Sequence, residues 1–308
     1  MAIQAGLHRG WLALCGLALF AQAGTAAARD IGSYENVLPF QEQLLVDGRT
    51  RDVLYLSPTD APPGSELAPA VILLEYLQGS PVDMADLTEV AALARDHGVH
   101  VILPSSLNGR WNYGGSSFAV TVDDVGFLNQ VIDSAIARLP IDPKRIYMAG
   151  YSNGGQMTQR FICERASRIA AGAIIAGSIH NDDRLACAPG LPTPMVIFHG
   201  TADEQIRYNG NLLFSSSLQT AQHWANAAGC TLGPTRVADL DPNDDGTVVH
   251  LQRHDGCADG ARVDHYIIDN GGHTWPGALS VSVALGLTTQ DVDATRAMWQ
   301  FFRAYARR

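Results

Sequence analysis

Short apolar runs alternate with longer amphipathic segments along most of this 308-residue chain. The apolar runs are rich in Val, Ile and Leu and lie next to turn-forming residues, which is typical of strands that are buried on both faces. They predict strands over residues 51–58, 70–77, 99–104, 144–150, 169–178, 194–200 and 264–270.

The segments between these runs carry apolar residues at helical spacing. One of them places Val125, Leu128, Ile132 and Ala135 on a single helix face. Strands that alternate with helices predict an α/β fold, in which helices cover both faces of a mostly parallel sheet. In such folds the functional residues lie at the carboxyl ends of strands. The predicted helices cover residues 84–98, 122–139, 154–167, 217–229 and 294–306.

The first 28 residues have a different pattern. Arg9 precedes an apolar run over residues 11–21, and Ala26-Ala27-Ala28 fits a cleavage site of small residues. This pattern predicts a signal peptide over residues 1–28 and a protein that is secreted or periplasmic. The run is shorter than the roughly 20 residues that a membrane span needs, which disfavours a membrane anchor. Residues 29–308 contain no repeat or Pro-rich linker and predict a single domain.

The charge of the chain limits its partners. Removing residues 1–28 takes away Arg9 and leaves 20 basic and 31 acidic residues, a net charge of −11. Proteins that bind nucleic acid need basic patches, so the composition argues against nucleic acid and against a generic anionic membrane surface. No membrane span is expected in the mature chain.

The cysteine count points to disulfides. Cys15 lies in the predicted signal peptide, and four cysteines remain, which suits an exported protein. Pairing of neighbours, Cys163 with Cys187 and Cys230 with Cys257, is favoured among three connectivities, with four reduced and buried thiols as the alternative. No Cys-x-x-Cys spacing is present, so a zinc site is not expected.

The candidate nucleophile is Ser152. It is the centre of Gly150-Tyr151-Ser152-Asn153-Gly154, a G-x-S-x-G sequence between a predicted strand and a predicted helix. A nucleophile elbow has this context, because the sharp turn raises the serine hydroxyl above the sheet edge. The backbone N–H of Asn153 is then placed to stabilise an oxyanion.

A nucleophilic serine needs a base, and the base needs an orienting acid. With this elbow the chain order is serine, acid, histidine. Asp203 follows the predicted strand 194–200, and His273 lies in a Gly-rich loop after the strand 264–270. His199 also lies at a strand end and is interpreted as structural. The rival acids are Glu204, Asp182, Asp183 and Asp269.

Five ordered blocks of the sequence resemble the polyhydroxybutyrate depolymerase and feruloyl esterase family of α/β-hydrolases. The blocks read RWNYGG, DDVGFL, IDPKRIYMAGYSNGGQM, HGTADEQIRYNG and GGHTWPG. The resemblance runs from about residue 44 to the last predicted helix. It implies an α/β-hydrolase fold and a secreted serine esterase with Ser152, Asp203 and His273 as its triad. It also makes the Cys230–Cys257 pairing plausible, and acyl transfer by such a triad needs no cofactor.

One position departs from the family pattern. The family has a Leu-His-Gly turn after the first central strand, and this chain has Leu77-Gln78-Gly79-Ser80 at the corresponding place. By position, the backbone N–H of Ser80 is expected to be the second oxyanion donor beside that of Asn153. The side chain of Gln78 is expected to hold the loop by a hydrogen bond.

Further residues are expected near the substrate. Arg110, Trp111 and Tyr113 resemble the wall of the family's pocket. Trp111 and Trp275 are candidates for an aromatic surface against the ester, with core packing as the alternative for each. The apolar segment 277–291 is expected to rim the pocket as a small lid.

No metal is expected. Residues 241–246 read DPNDDG, which imitates the start of a calcium loop. Position twelve of that loop is Gln252 instead of Glu, and a hairpin turn rich in Asp, Asn and Gly explains the sequence without a metal.

The sequence therefore predicts a carboxylic ester hydrolase whose partner is a small, oligomeric or polymeric ester. Hydroxyalkanoate esters or oligomers are the first substrate class, and feruloyl or acetyl esters of plant polysaccharide are the alternative. Two other interpretations are kept, namely a non-catalytic homologue that binds a ligand in the same pocket and a peptidase of the same fold.

Overall fold

The computed structural model describes residues 36–59, 67–114, 122–279 and 281–308. The predicted signal peptide, residues 1–28, lies outside the described residues. The strands are β1 (Val37–Val46), β2 (Arg49–Pro58), β3 (Ala68–Leu74), β4 (His100–Pro104), β5 (Ile141–Tyr151), β6 (Ala171–Ile175), β7 (Met195–Gly200), β8 (Leu232–Leu240), β9 (Val248–Asp255) and β10 (Val263–Asp269).

Helices connect most of the central strands. The α-helices are α1 (Pro81–Thr88), α2 (Ala91–His97), α3 (Asp124–Arg138), α4 (Asn153–Arg165), α5 (Asn181–Ala186), α6 (Ser217–Ala227) and α7 (Ala294–Phe302). Short 3₁₀ turns cover Ala166–Arg168, Ala258–Gly260 and Val283–Leu285.

The ten strands form one sheet in the order β1-β2-β4-β3-β5-β6-β7-β10-β9-β8. The run from β4 to β10 is parallel, whereas β1 and β2 at one edge and β9 and β8 at the other are antiparallel. The two faces of β3 contribute to different cores: Val71 and Leu73 pack in one, and Ile72 and Leu74 in the other. The predicted α/β class with a mostly parallel sheet is confirmed.

Two predicted elements end elsewhere in the structure. The predicted helix 84–98 is wrong as a single element, because Glu89 has a left-handed backbone with φ 48° and separates α1 from α2. The predicted strand 70–77 is too long, since β3 ends at Leu74. The residues after Leu74 already belong to the turn that leads to Ser80, the N-cap of α1. The antiparallel strands β1, β8 and β9 were not predicted.

Two disulfides lie within the described part of the chain. Cys163 bonds Cys187, and Cys230 bonds Cys257, which are the pairings that the sequence favoured. The first disulfide joins α4 to the end of α5, and the second lies near the end of α6. In the described residues we find no helix with the length and apolar character needed to cross a bilayer.

Candidate active site

Ser152 lies at a sharp turn between β5 and α4, in a backbone conformation that L-residues rarely adopt. Its φ is 54° and its ψ is −115°. A Cβ atom at Gly150 would collide with the backbone of Gly154, and one at Gly154 would collide with the carbonyl oxygen of Leu74. Close backbone contacts therefore require both glycines of the G-x-S-x-G sequence, as a nucleophile elbow does.

Asp203 and His273 follow β7 and β10, which are neighbours in the sheet, so both lie at its carboxyl edge with Ser152. The Nε2 atom of His273 is 2.9 Å from the Oγ atom of Ser152. The Nδ1 atom of His273 is 2.7 Å from the Oδ2 atom of Asp203. With the imidazole proton on Nδ1, facing the carboxylate, Nε2 is left to accept the serine proton.

The carboxylate of Asp203 is buried, but it has several hydrogen-bond donors. Its Oδ1 atom accepts the backbone N–H groups of Gln205 and Ile206, each at 2.9 Å. Burial by itself raises the pKa of this carboxyl, but hydrogen bonds from His199 and His273 and their charge hold the pKa well below its ordinary value. Asp203 therefore remains ionised at any pH at which an esterase is assayed.

His199 lies beside the same carboxylate. Its Nε2 atom is 2.7 Å from the carbonyl oxygen of Ile206 and 3.4 Å from the Oδ2 atom of Asp203. The ring is buried and ties the loop after β7 to its strand. These contacts agree with the structural role that the sequence suggested for His199.

The loop that carries His273 is fixed on two sides. The hydroxyl of Tyr151 donates to the carbonyl oxygen of His273 at 2.6 Å, and the two rings stack with centroids 5.4 Å apart. The N–H of His273 donates to the carbonyl oxygen of Leu285 at 2.7 Å. The apolar segment 277–291 therefore contacts the His273 loop, with Leu279 and Val283 exposed. Its role as a lid remains a prediction.

The turn after β3 lies against the first turn of α4. A Cβ atom at Gly154 would contact the carbonyl oxygens of both Leu74 and Glu75, so the Glu75–Tyr76 peptide lies close to the elbow. The carbonyl oxygen of Glu75 accepts the indole N–H of Trp111 at 3.1 Å. In a trans peptide the N–H points away from the preceding carbonyl, so the Tyr76 N–H faces away from that indole.

Ser80 lies further along this turn. Its Oγ atom caps α1 by accepting the N–H of Asp83 at 3.2 Å, and it donates to the Asp83 carboxylate at 2.7 Å. Among the described residues no hydrogen bond joins Ser80 to Ser152. The role of Ser80 as an oxyanion donor remains a prediction, and the peptide after Glu75 is a competing position.

Gln78 connects this turn to residues 107–110. Its N–H donates to the carbonyl oxygen of Gly109 at 2.7 Å, and its Nε2 atom is 3.4 Å from the carbonyl oxygen of Asn108. The side chain of Gln78 therefore makes a hydrogen bond that holds the loop, as the sequence suggested. Contact of Gln78 with a substrate remains a prediction.

The two candidate tryptophans are buried. Trp111 is 0% exposed and stacks on Phe127, and Trp275 is 1% exposed and donates its indole N–H to Thr295 at 3.2 Å. Arg110 leads into Trp111 by a turn in which its N–H donates to the carbonyl oxygen of Leu107. The burial favours the core-packing alternative for both indoles, because neither offers an open aromatic surface to an ester.

Glu75 is a buried acid beside the elbow that the sequence analysis did not single out. Its side chain is 0% exposed, and its Oε1 atom accepts the N–H of Ser106 at 2.6 Å. Burial raises its pKa to about 7, although the bonds from Ser106 and the charge of Arg51 act in the opposite direction. A charged residue inside the otherwise apolar run 70–77 was the signal for this position.

A cavity of about 220 Å³ lies beside α4. Its wall includes Tyr113, Gln156, His180 and the Cys163–Cys187 disulfide. Of the predicted pocket residues, Tyr113 lines this cavity. Gln156 and His180 were missed, because a lone glutamine in a helix and a histidine without a motif carry no signal in the sequence.

The candidate calcium loop is a hairpin connection between β8 and β9. Asp245 accepts the N–H and hydroxyl of Thr247 at 2.9 and 2.6 Å and the N–H of Gln290. Its carboxylate is thus used by neighbouring donors, as in an ordinary Asx-type turn. Within the described residues no group of three or more His, Cys, Asp or Glu side chains is arranged to hold a metal ion.

Known proteins resemble this chain in sequence. Feruloyl esterase B of Piromyces equi is 30% identical over 225 residues, which cover 68% of this chain and 40% of that protein. Poly(3-hydroxybutyrate) depolymerase of Ralstonia pickettii is 26% identical over 182 residues, which cover 54% of this chain and 37% of that protein. The chain thus spans about two fifths of the length of these relatives. No family model matches the chain.

Among solved structures, acetyl xylan esterase from Aspergillus awamori aligns with a TM-score of 0.60 at 15% identity. The alignment covers 86% of this chain and 99% of that one. At this identity the likeness concerns the fold. Together with the strand order and the elbow, it confirms the predicted fold and resemblance: the chain has the α/β-hydrolase fold and is related in sequence to feruloyl esterases and to a poly(3-hydroxybutyrate) depolymerase.

Proposed function

We propose that this protein is a serine carboxylic ester hydrolase. The observation that carries the proposal is the hydrogen-bonded chain from the hydroxyl of Ser152 through His273 to Asp203, with distances of 2.9 and 2.7 Å. A serine hydroxyl is a weak nucleophile until a base within hydrogen-bond reach takes its proton. The Nε2 atom of His273 is at that distance from the hydroxyl. It lies on the side of the imidazole ring opposite to the Asp203 carboxylate.

The reaction we propose is a two-step acyl transfer. His273 takes the proton of Ser152 as Oγ attacks the ester carbonyl, and Asp203 stabilises the imidazolium that forms. His273 then gives the proton to the departing alcohol. A water molecule repeats the sequence on the acyl-enzyme, which releases the acid and restores the serine.

Two backbone donors are proposed for the oxyanion. The N–H of Asn153 belongs to the first turn of α4, where N–H groups have no partner within the helix. For the second donor the candidates are the N–H of Ser80, given by the sequence pattern, and the N–H of Tyr76, which belongs to the turn whose Glu75 carbonyl oxygen lies near Gly154. Ser80 is the sixth residue after Leu74, the last residue of β3.

The substrate class we propose is an ester with a hydroxyalkanoate or a feruloyl or acetyl group. The first is the substrate named for the relative from Ralstonia pickettii. The second is supported by the 30% identity to feruloyl esterase B. We also propose that the protein is exported, which its two disulfides support, because disulfides persist in oxidising compartments.

The test is hydrolysis by the purified protein beside its Ser152→Ala variant. The panel contains hydroxybutyrate oligomers, methyl ferulate, acetylated xylan and short p-nitrophenyl esters. We expect turnover of at least one class, a fall of three or more orders of magnitude in the variant, and the same melting temperature for both proteins. Equal turnover by the two proteins on every ester contradicts the proposal.

A further inference from the structure

One side of the cavity is formed by α4, the helix that begins directly after Ser152. Gln156 lies one helical turn after Ser152, and its N–H donates to the carbonyl oxygen of Ser152 at 3.0 Å. Gly177, just after β6, packs against both residues, and Ile179 and His180 continue from there along the cavity wall. The part of the wall formed by Gln156, Ile179 and His180 therefore lies at the carboxyl edge of the sheet, on the side of the elbow. At about 220 Å³ it is well above the volume that one water molecule needs.

Two side chains of this wall are buried donors without an acceptor. Gln156 is 5% exposed and His180 is 3% exposed. None of the described residues accepts a hydrogen bond from the Nε2 atom of either side chain. Most buried polar groups in folded proteins are paired, so two unpaired donors in one cavity require an explanation.

The tautomer of His180 follows from its other nitrogen. Its Nδ1 atom accepts the N–H of Asp182 at 3.2 Å, so the proton of the neutral ring is on Nε2. The ring is held by aromatic neighbours, with centroids 5.6 Å from Phe214 and 6.3 Å from Tyr113. His180 is thus a fixed donor and not a side chain that can turn to find another partner.

Gln159, in the same helix, has hydrogen-bond partners for both ends of its side-chain amide. It also lines the cavity, but its Nε2 atom donates to the carbonyl oxygen of Gly177 at 2.9 Å and its Oε1 atom accepts the indole N–H of Trp224 at 3.0 Å. The fold thus pairs one cavity glutamine completely and leaves the donor of the other unused.

The charges of the wall favour a neutral ligand group. Glu164 and Asp183 both line the cavity, against one guanidinium, that of Arg160. Arg160 is already paired with Glu164 at 2.8 Å and donates to the carbonyl oxygen of Asn112. An anionic carboxylate in this cavity would meet two acids, so an uncharged acceptor oxygen suits it better.

We infer that Gln156 and His180 form a subsite that binds an uncharged acceptor oxygen of the substrate, a few covalent bonds from the ester bond that is cleaved. This inference rests on the proposed esterase function and adds to it the recognition of a second group. The four residues of helix from Ser152 to Gln156 rise roughly 6 Å, a distance that a chain of about five covalent bonds covers. The next ester carbonyl of a 3-hydroxyalkanoate oligomer and a hydroxyl of an esterified sugar both meet this requirement.

Binding to the Ser152→Ala protein tests the subsite without turnover. The two ligands are the methyl ester of the 3-hydroxybutyrate dimer and methyl 5-O-feruloyl-arabinofuranoside, and calorimetry gives each Kd. We expect at least one to bind, and Gln156→Met in the same background to weaken that binding about 10-fold. The ligand that binds distinguishes a carbonyl from a sugar hydroxyl. Gln159→Met, the matched control, is expected to lower the melting temperature but not the affinity.

A second measurement needs no substitution at position 156. In the Ser152→Ala protein, the side-chain amide resonance of Gln156 is expected to shift when the ligand is added, while that of Gln159 stays in place. Unchanged affinity in Gln156→Met, a static Gln156 amide, or no binding of either ligand overturns the subsite and leaves a solvent-filled cavity. Hydrolysis by the wild-type protein is assayed separately. Turnover without Gln156-dependent binding overturns the subsite alone, and binding without turnover overturns the esterase proposal alone.

Discussion

Asn153 and Trp111 exchange two hydrogen bonds: the N–H of Trp111 donates to the Oδ1 atom of Asn153 at 2.8 Å, and the Nδ2 atom of Asn153 donates to the carbonyl oxygen of Trp111 at 3.3 Å. The first residue after the nucleophile thus fastens the loop 107–114 to the elbow through its side chain. Its backbone N–H is the first of the proposed oxyanion donors.

Replacing Asn153 by Ala tests this support. The backbone N–H stays, but the Trp111 N–H is left buried without its acceptor, so we expect the free energy of unfolding to fall by about 1–3 kcal/mol. We also expect a lower kcat on p-nitrophenyl acetate, since the loop also carries Gln78 through Gly109. Urea unfolding and steady-state kinetics measure the two effects. Asn153→Asp keeps an acceptor at Oδ1 and serves as the comparison; equal stability of wild-type protein and Asn153→Ala contradicts the role.

Asp203 and His199 are both buried next to the nucleophile's base, but we expect different effects from their loss. Asp203→Asn presents an amide N–H to Nδ1 of His273 and favours the wrong tautomer, so kcat should fall by a factor on the order of 10³–10⁴. His199→Gln leaves Asp203 its bond to His273 and two backbone donors, so a loss of about 10-fold or less is expected. Kinetics of both variants on one p-nitrophenyl ester decide the matter. A similar loss in both would make His199 part of the catalytic machinery.

The competing positions for the second oxyanion donor can be separated by removing one N–H at a time. An ester linkage in place of the peptide N–H, introduced as the α-hydroxy acid at position 76, should lower kcat by about 10²–10³ if Tyr76 donates. The same replacement at Ser80 is the matched control and should leave kcat within a few-fold of wild type. The opposite order of effects supports the position given by the sequence pattern and rejects Tyr76.

The proximity of the three residues of the proposed triad was predictable from the sequence, because each is tied to a local signal. The elbow requires Gly150 and Gly154, and Asp203 and His273 lie three and four residues after the apolar runs that form β7 and β10. A residue that follows the carboxyl end of a parallel strand lies at the functional edge of the sheet, and this does not depend on the sequence elsewhere in the chain. Sequence context alone was enough to bring these three residues together.

The turn after β3 and the edge strands were not predictable in the same way. Residues 70–77 are apolar except for Glu75, and nothing local shows that the strand ends at Leu74 and buries the acid that follows. The break between α1 and α2 at Glu89 contains neither Gly nor Pro, so no helix-breaking residue predicts it from the sequence. Strand β8 is mostly exposed, so it has no buried face to produce an alternating pattern. Tertiary pairing, and not local preference, decides these elements.

Burial of Glu75 makes stability depend on pH. The folded state holds the Glu75 proton up to a pH of about 7, whereas an unfolded chain releases it near the ordinary value of 4.5. Between these values the folded state binds more protons, so the contribution of Glu75 to stability falls as the pH rises from about 4.5 to 7. Glu75→Gln cannot ionise and avoids this loss. We expect its unfolding free energy, relative to wild type, to increase by about 3 kcal/mol between pH 4 and pH 8.

Urea unfolding of both proteins at the two pH values measures this difference, in which the titration of all other groups cancels. A difference that does not change with pH means that Arg51 holds the Glu75 carboxyl ionised in the folded protein. The pKa of Glu75 would then lie near its ordinary value.

The two disulfides provide a matched pair, because they close loops of similar length and only one of them lines the cavity. Cys163 and Cys187 are 24 residues apart, and Cys230 and Cys257 are 27 apart. Chain entropy therefore predicts nearly the same loss of stability, about 3 kcal/mol, when either pair is replaced by serine. The Cys163–Cys187 bond also forms part of the wall that contains Gln156 and His180.

We therefore compare kcat/KM for two esters, the methyl ester of the hydroxybutyrate dimer and p-nitrophenyl acetate. The Cys163→Ser, Cys187→Ser double variant is expected to lower the ratio of the first kcat/KM to the second by several-fold. The Cys230→Ser, Cys257→Ser variant should keep the wild-type ratio at a comparable melting temperature, because its bond lies outside the cavity wall. Thermal unfolding and kinetics on the two esters give both quantities. If the ratio changes equally in both variants, lost stability and not the cavity wall explains the effect, since the two proteins share only the loss of a cross-link.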